Sequence, residues 1–291
     1  MKMNLALTLI FTFSGLLGCK VSYDKNITPA GNEYPGVYLN AKVCLEGAGT
    51  FPMSTALKNN NTLPFVTPYT LANPWLHYSI EDIALSPATY ASPWVDWVLV
   101  EIYKIEFGSY LKVDGQSALL HEDGSLYSLL HEYGSLNSST ATQSLYFANL
   151  VPGNYYINIK HRNHLAIGTQ NAVSLSIQNY SEIDPLVFDV DFTDPQTVLT
   201  GNASSSGGIQ CLAAGDVNND NLIDSNDLAA INTQVKAIFT AAPDGTTLNG
   251  YFAGDVNLDN SITVNTSLST IDHGIISAND GLTTLVHPNA P

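Results

Sequence analysis

From Val37 onward apolar and polar residues alternate, with Val37, Leu39, Ala41, Val43 and Leu45 on one face and Tyr38, Asn40, Lys42, Cys44 and Glu46 on the other. A period of two is the spacing of a strand with one buried face. Trp94 to Tyr103 is apolar on both faces, as a central strand is. Further strands are expected at Ser144 to Leu150, Asn154 to Lys160, Ala172 to Gln178 and Leu186 to Phe192, the last with Asp189 and Asp191 facing out. Short strands, frequent Pro and Gly turns and hardly any helical period predict a mainly β chain, folded as a β-sandwich over 35–196. Within it Leu119-Leu120-His121-Glu122-Asp123-Gly124-Ser125-Leu126 returns ten residues later as Leu129 to Leu136, which suggests hairpins at the Asp-Gly and Tyr-Gly turns. The period changes near the C-terminus. Leu228, Ile231, Val235, Ile238 and Phe239 recur on one helical face until Ala242-Pro243-Asp244-Gly245 ends it, and Leu268, Ile271 and Ile275 form a shorter stripe.

At the other end, Lys2 precedes an apolar run from Leu5 to Leu17, too short for a membrane span and of the length of a signal-peptide core. Leu16-Leu17-Gly18-Cys19 resembles a bacterial lipobox. The resemblance implies a signal peptide over 1–18 and acylation of Cys19 as the first mature residue; an ordinary signal peptide cut nearby is the alternative. Residues 19–34 are polar, contain Pro29 and Gly31, and read as a tether. The expectation is an exported protein, an outer-membrane lipoprotein or cell-surface protein of a Gram-negative bacterium, that meets the membrane through its lipid alone.

Charge narrows the partners. Ten Lys and Arg against 26 Asp and Glu give −16, which argues against nucleic acid and against charge-driven binding to anionic lipid. From Leu212 onward every acid is Asp and the one base is Lys236. Such a tail repels itself unless a cation is supplied. Cys19, Cys44 and Cys211 are too few for a disulfide framework; a bridge from Cys44 to Cys211 is conceivable and is not established by sequence.

That acidic tail holds an ordered pattern. A twelve-residue loop begun at Asp216 places Asp216, Asn218, Asp220, the Leu222 carbonyl, Asp224 and Asp227 at positions 1, 3, 5, 7, 9 and 12, where a calcium loop needs oxygen ligands. A second loop repeats the rhythm with Asp255, Asn257, Asp259, Ser261 and Thr263 at positions 1, 3, 5, 7 and 9. Its position 12 is Thr266, so Asp272 would have to swing in from an expanded loop. Position 6 is Asn221 and Asn260 instead of Gly, and Asn reaches the left-handed region more easily than most residues. The loops start 39 residues apart (255 − 216).

Paired Gly-Asp-Val-Asn-x-Asp loops, each leading into one helix, resemble the dockerin type I module. The resemblance implies a small α-helical EF-loop domain over 212–291, calcium as the bound ion, and a cohesin-like or other envelope protein as partner. It also implies partner selection by the residues at positions 10 and 11, here Ser225, Asn226, Val264 and Asn265. The alternative is that such loops only staple a small domain. A second resemblance covers about 37–195: Val43-Cys44-Leu45-Glu46-Gly47, Val95 to Glu101 and Pro152-Gly153-Asn154-Tyr155-Tyr156 onward look like a haemagglutinin-like module of secreted bacterial surface proteins and like prealbumin-type sandwiches. Thr200 to Gly208, rich in Ser and Gly, reads as a linker within 197–211.

His161-Arg162-Asn163-His164 contains the only arginine. It can grip a carboxylate or sugar, or tie a strand end to Asp96 or Glu101, and the second reading is preferred because a half-buried Arg needs a paired acid. The two His-Glu pairs lack zinc-site spacing. No nucleophile elbow, P-loop, dinucleotide fingerprint or zinc-protease motif occurs, so a non-catalytic role in assembly or adhesion is expected. The alternatives are a carbohydrate-binding accessory protein, which needs Trp75, Tyr78 or Trp94 exposed on one flat face, and a dockerin-bearing hydrolase.

Overall fold

In the computed structural model the described residues are 37–70, 72, 74, 75, 77, 85–129, 141, 143–147, 150, 151, 153–175, 186–199, 203–206, 208–238, 246–263 and 271–284. By its contacts the chain divides into Met1–Glu33 and Tyr34–Pro291, and every described residue belongs to the second unit. The signal-peptide core, Cys19, Tyr78, Thr266 and the second His-Glu pair lie outside the described residues, as do Val264 and Asn265.

In chain order the strands are β1 (Val37–Lys42), β2 (Trp94–Glu106), β3 (Ser109–His121), β4 (Leu126–Tyr127), β5 (Leu145–Phe147), β6 (Gly153–His161), β7 (His164–Gly168), β8 (Val173–Leu175), β9 (Leu186–Asp191), β10 (Ala203–Ser206), β11 (Ile209–Leu212), β12 (Thr247–Asn249) and β13 (Ser261–Thr263). The helices are α1 (Ala56–Asn59), α2 (Pro87–Tyr90), α3 (Ser225–Ile238) and α4 (Ile271–Ala278). One sheet runs β5-β1-β9, with β9 parallel to β1; the other runs β4-β3-β2-β6-β7, with β8 paired to β6.

The alternation read along the chain is the alternation seen in β1, where Val37, Leu39 and Ala41 are buried into the core between the sheets. β2 is central, between β3 and β6, and buried from Trp94 to Tyr103. Its second face is covered by the irregular stretch before it: the Tyr69 hydroxyl donates to the Trp97 carbonyl at 2.8 Å, and Trp97 Nε1 donates to the Pro64 carbonyl at 2.9 Å. The sandwich is therefore mainly β with short helices only, as the pattern predicts. β3 and β7 were hidden from the pattern. β3 begins exposed and polar, and β7 follows β6 after only Arg162 and Asn163.

Two features go beyond the sequence reading. Cys44, expected on a polar face, is 1% exposed, and the bridge to Cys211 that sequence left open is present, Cα to Cα 4.4 Å, across 167 residues of chain. The Ser-rich stretch that composition reads as a linker runs, in its described part, as the β10–β11 hairpin, with Ala203 opposite Leu212 and Gly208 at φ +86°. Backbone pairing needs no apolar side chains, and β11 is held further by Leu212 N–H to the Cys44 carbonyl, 2.8 Å, and Gln210 N–H to the Thr193 carbonyl, 2.9 Å.

Beyond β11 a second core gathers Val217, Ile223, Ile231, Val235, Val256 and Ile276, with Leu165 of β7 among them. The pairing there is reciprocal. β12, which follows α3, pairs with β13 in the second loop. The segment after α4 pairs with the first loop, Ile223 N–H donating to the Leu282 carbonyl and Gly281 N–H to the Ile223 carbonyl.

Candidate metal centres

Loop one, 216–227, is folded around its own acids. Asp216 accepts from the backbone N–H of Asp220 (3.1 Å) and Asn221 (3.2 Å), and Asp227 Oδ1 accepts from Val217 (2.8 Å) and Asn218 (3.1 Å). Asn218 Oδ1 takes the Asp220 N–H at 2.8 Å, and Asp220 Oδ1 takes the Leu222 N–H at 3.0 Å. Asp224 Oδ1 accepts the Asn226 N–H at 2.7 Å. Asn219 and Asn221 have φ of 58° and 70°, the left-handed conformation that lets so short a loop close on itself. Asn at position 6 thus does the work expected of Gly.

Loop two repeats the bonds of the first seven positions. Asp255 accepts from Asp259 (3.0 Å) and Asn260 (3.0 Å), Asn257 Oδ1 from Asp259 (3.2 Å), and Asp259 Oδ1 from Ser261 (2.9 Å). Leu258 and Asn260 have φ of 56° and 78°. Asp272 Oδ1 accepts from Val256 (3.1 Å) and Asn257 (3.4 Å), the counterparts of Val217 and Asn218. The closing acid is therefore Asp272, reached from the first turn of α4 as Asp227 is from the first turn of α3.

The donor set is all oxygen. Asp216, Asp227, Asp255 and Asp272 are each at most 5% exposed. Burial, with Asp227 and Asp220 adding repulsion, pushes Asp216 up to about 7. Burial does the same to Asp272, to about 7, with Asp259 adding to it. Burial pushes Asp255 up to about 7 although Arg162 pulls it down, because Asp272 and Asp259 push with it. Buried acids in short supply of positive charge fit a hard cation such as calcium. Among the described residues no three His, Cys, Asp or Glu side chains converge on a metal position by themselves; each loop joins its acids to Asn and backbone oxygens. Ser225 and Asn226 are exposed at the start of α3.

Between the loops lies the turn joining β6 to β7. Arg162, 5% exposed, donates from Nε to Asp96 Oδ2 at 2.9 Å, so the strand-end tie to Asp96 is the arrangement present. Its guanidinium lies 4.1 Å from the centre of the Tyr251 ring and donates to the Phe252 carbonyl. Burial raises Asp96, but Arg162, His161 and Tyr251 outweigh it and hold the carboxyl at about 2. Burial lowers both His161 and His164. His164 Nε2 accepts the Gly47 N–H at 3.2 Å, which leaves its Nδ1–H as a donor shared between His161 Nδ1, 2.9 Å away, and Asn163 Oδ1, 2.8 Å away. Lys112 and Lys160 meet Glu101 at 2.6 and 2.8 Å.

The flat aromatic face asked of a carbohydrate binder is absent from the described residues named for it. Trp94 is 2% exposed, its Nε1 donating to the Thr89 carbonyl at 2.7 Å, and Trp75 stands edge-on to buried Tyr69. A small cavity of about 50 Å³ borders loop one, lined by Trp75, Lys160, His161, His164, Asp216 and Asn219 among others.

No family model matches the chain, and no curated protein matches it. Two solved structures are similar, an N-terminal and a C-terminal interface mutant of a type II Cohesin-X-Dockerin complex from Acetivibrio cellulolyticus. Each is 13% identical, at TM-score 0.35, over 86% of this chain and 98% of theirs. At that level the likeness carries no functional weight; the loop geometry does.

Proposed function

We propose that the chain is an exported, non-catalytic surface protein whose C-terminal part is a calcium-dependent docking module of the dockerin kind, serving assembly or adhesion at the cell envelope. The observation that carries the reading is the repetition of one hydrogen-bond pattern in both acidic loops, with Asp272 standing for Asp227. Asp216, Asn218, Asp220, Leu222, Asp224 and Asp227 would hold one ion, and Asp255, Asn257, Asp259, Ser261, Thr263 and Asp272 the other. The bound ion supplies the positive charge that these buried carboxylates lack. Each loop's last acid sits in the first turn of a helix, so the loop fixes that helix's N-terminus and with it Ser225 and Asn226 for a protein partner. Lipidation at Cys19 would place the protein on an outer membrane through its anchor, with the acidic body kept from the lipid by its charge.

The test is capture of an envelope partner by the full chain, with and without chelator, and by a Ser225→Ala/Asn226→Ala variant. Capture lost in both cases supports the reading. Capture unaffected by chelation contradicts it, and leaves the loops as a structural staple. Mass spectrometry of the mature N-terminus checks lipidation; an unmodified chain that begins elsewhere overturns that part.

A further inference from the structure

Among the described residues no strand pairing joins the two acidic loops to each other. Leu222 of loop one bridges to Thr283, and β13 of loop two pairs with β12. A buried residue of the sandwich reaches toward both. Asn163 is 0% exposed. Its backbone carbonyl accepts the N–H of Gly215, which immediately precedes Asp216, at 2.9 Å. Its Nδ2 donates to the carbonyls of Ala253 and Asp255, at 2.8 and 2.7 Å, and so grips the first residue of loop two. Its Oδ1 is held by His164 Nδ1 at 2.8 Å, which fixes which way the amide points. The same turn is caught from the far side: Asn219 of loop one donates from Nδ2 to the Arg162 carbonyl at 3.0 Å.

A second sandwich segment repeats the arrangement. Glu46 Oε2 accepts from the Ala214 N–H at 2.9 Å and from Asn279 Nδ2, beyond α4, at 2.6 Å. Gly47 lies so close to the Val256 carbonyl that a Cβ there would collide with it. Both loops are thus seated against the same two segments of the sandwich, Glu46-Gly47 and Arg162-Asn163.

We propose that Asn163 is a positioning residue for both metal loops, a crossbar through which filling one loop favours filling the other and through which the sandwich itself becomes calcium-linked. The proposal rests on the calcium reading above and deepens it. Asn163 touches no bound ion; it sets where the first acid of each loop stands. A loop ordered by its ion holds the turn in place, and the ordered turn presents the other loop with less rearrangement to make. In coupling terms the two sites share one element whose position both of them bias.

The experiment is a calcium titration of chelator-stripped full-length protein by calorimetry, with near-ultraviolet circular dichroism following the buried Trp94 and Trp97 of the sandwich. The native chain is expected to bind two ions with positive cooperativity and to raise the melting of the sandwich signal as calcium is added. Asn163→Ala deletes the hydrogen bonds to Asp255 of loop two and to Ala253 just before it, and is expected to weaken that site roughly tenfold, to abolish cooperativity and to uncouple the sandwich melting from calcium. Asn219→Gly keeps the left-handed backbone and removes the side-chain tie of loop one to the Arg162 carbonyl, so it guards against a poorly folded Asn163→Ala; it is expected to weaken cooperativity. If the variants lower melting equally with and without calcium while the binding isotherm keeps its shape, Asn163 is merely structural and the inference is overturned. If the native chain binds no calcium, the docking reading falls together with it; if it binds two ions independently, the inference alone falls.

Discussion

Loop one and loop two hold the same hydrogen bonds over their first seven positions, on different lengths of chain. In loop one the closing acid stands eleven residues after the opening one (227 − 216), and in loop two seventeen (272 − 255). Yet Val217 and Asn218 in one, and Val256 and Asn257 in the other, donate to the same oxygen of their closing acid. What defines such a site is which carboxylate returns to the amides at positions 2 and 3, and the first turn of the next helix delivers it. The stretch between Thr263 and Ile271 adds length without displacing the acid. The loops differ in surroundings as well. Loop one follows directly on the disulfide-anchored strand β11, whereas loop two lies within the field of Arg162.

The largest expected effect comes from cutting that anchor. A bridge closing a loop of this length constrains the unfolded chain by about 5 kcal/mol in the chain-entropy account. A Cys44→Ser/Cys211→Ser variant should therefore melt well below the native protein, and lose calcium affinity at loop one more than at loop two. Equal loss at both loops would remove the difference in anchoring between them.

Next come the closing acids. Asp227→Ala would remove a ligand and strand the backbone N–H groups of Val217, Asn218 and Asp224, and Asp272→Ala a ligand and those of Val256 and Asn257, a cost of about 1–3 kcal/mol for each group left without a partner. Calorimetry should show each variant losing one ion and keeping the other. An Asp272→Ala protein that still binds two ions would break the equivalence of the loops.

Calcium's effect on melting should also depend on pH. In the ion-free folded chain Asp216, Asp255 and Asp272 titrate at about 7, against about 3.9 unfolded. Between those values the folded chain holds protons that the unfolded chain has released. Their contribution to folding is therefore complete below about pH 4 and lost as pH rises through about 7. Binding an ion requires the same groups without protons, so the gain in melting temperature on adding calcium should grow from pH 5 to 8. His161 and His164, lowered by burial, contribute stability that is lost as pH falls below about 6.5, and this cancels when melting with and without calcium is compared. A gain that stays flat across the range would mean these acids are not the ligands.

The smallest effect is expected from Thr266→Asp. By residue count it restores an acid at position 12 of loop two, but Asp272 already takes the amide bonds of that position. Calcium affinity at loop two should stay within about twofold of native; a marked gain would mean that Asp272 is a poor substitute.

Much of this was legible in the chain. Alternation at Val37 to Ala41 and the unbroken apolar run of β2 announce a sandwich, because burial on one face or on two leaves that mark in sequence. The acids of both loops were legible from their rhythm, and α3 from its stripe. Asp272 could be named only as a candidate, since counting residues does not show where a helix turns back. The β10–β11 hairpin was illegible because Ser-rich backbone pairs without apolar side chains to announce it, and the Cys44–Cys211 bridge could be named only as conceivable because bridging depends on distance in space. Asn163 was missed altogether. Its role lies in a carbonyl and an amide that reach across 52 and 92 residues of chain (215 − 163 and 255 − 163), and no local pattern marks it.

The central claim is that both acidic loops are ion sites of one design. Calorimetric titration of the stripped full-length chain with calcium tests it most directly. Two ions per chain, falling to one in Asp216→Ala and to one in Asp255→Ala, is the result the account predicts; a single ion in the native chain, or none, contradicts it.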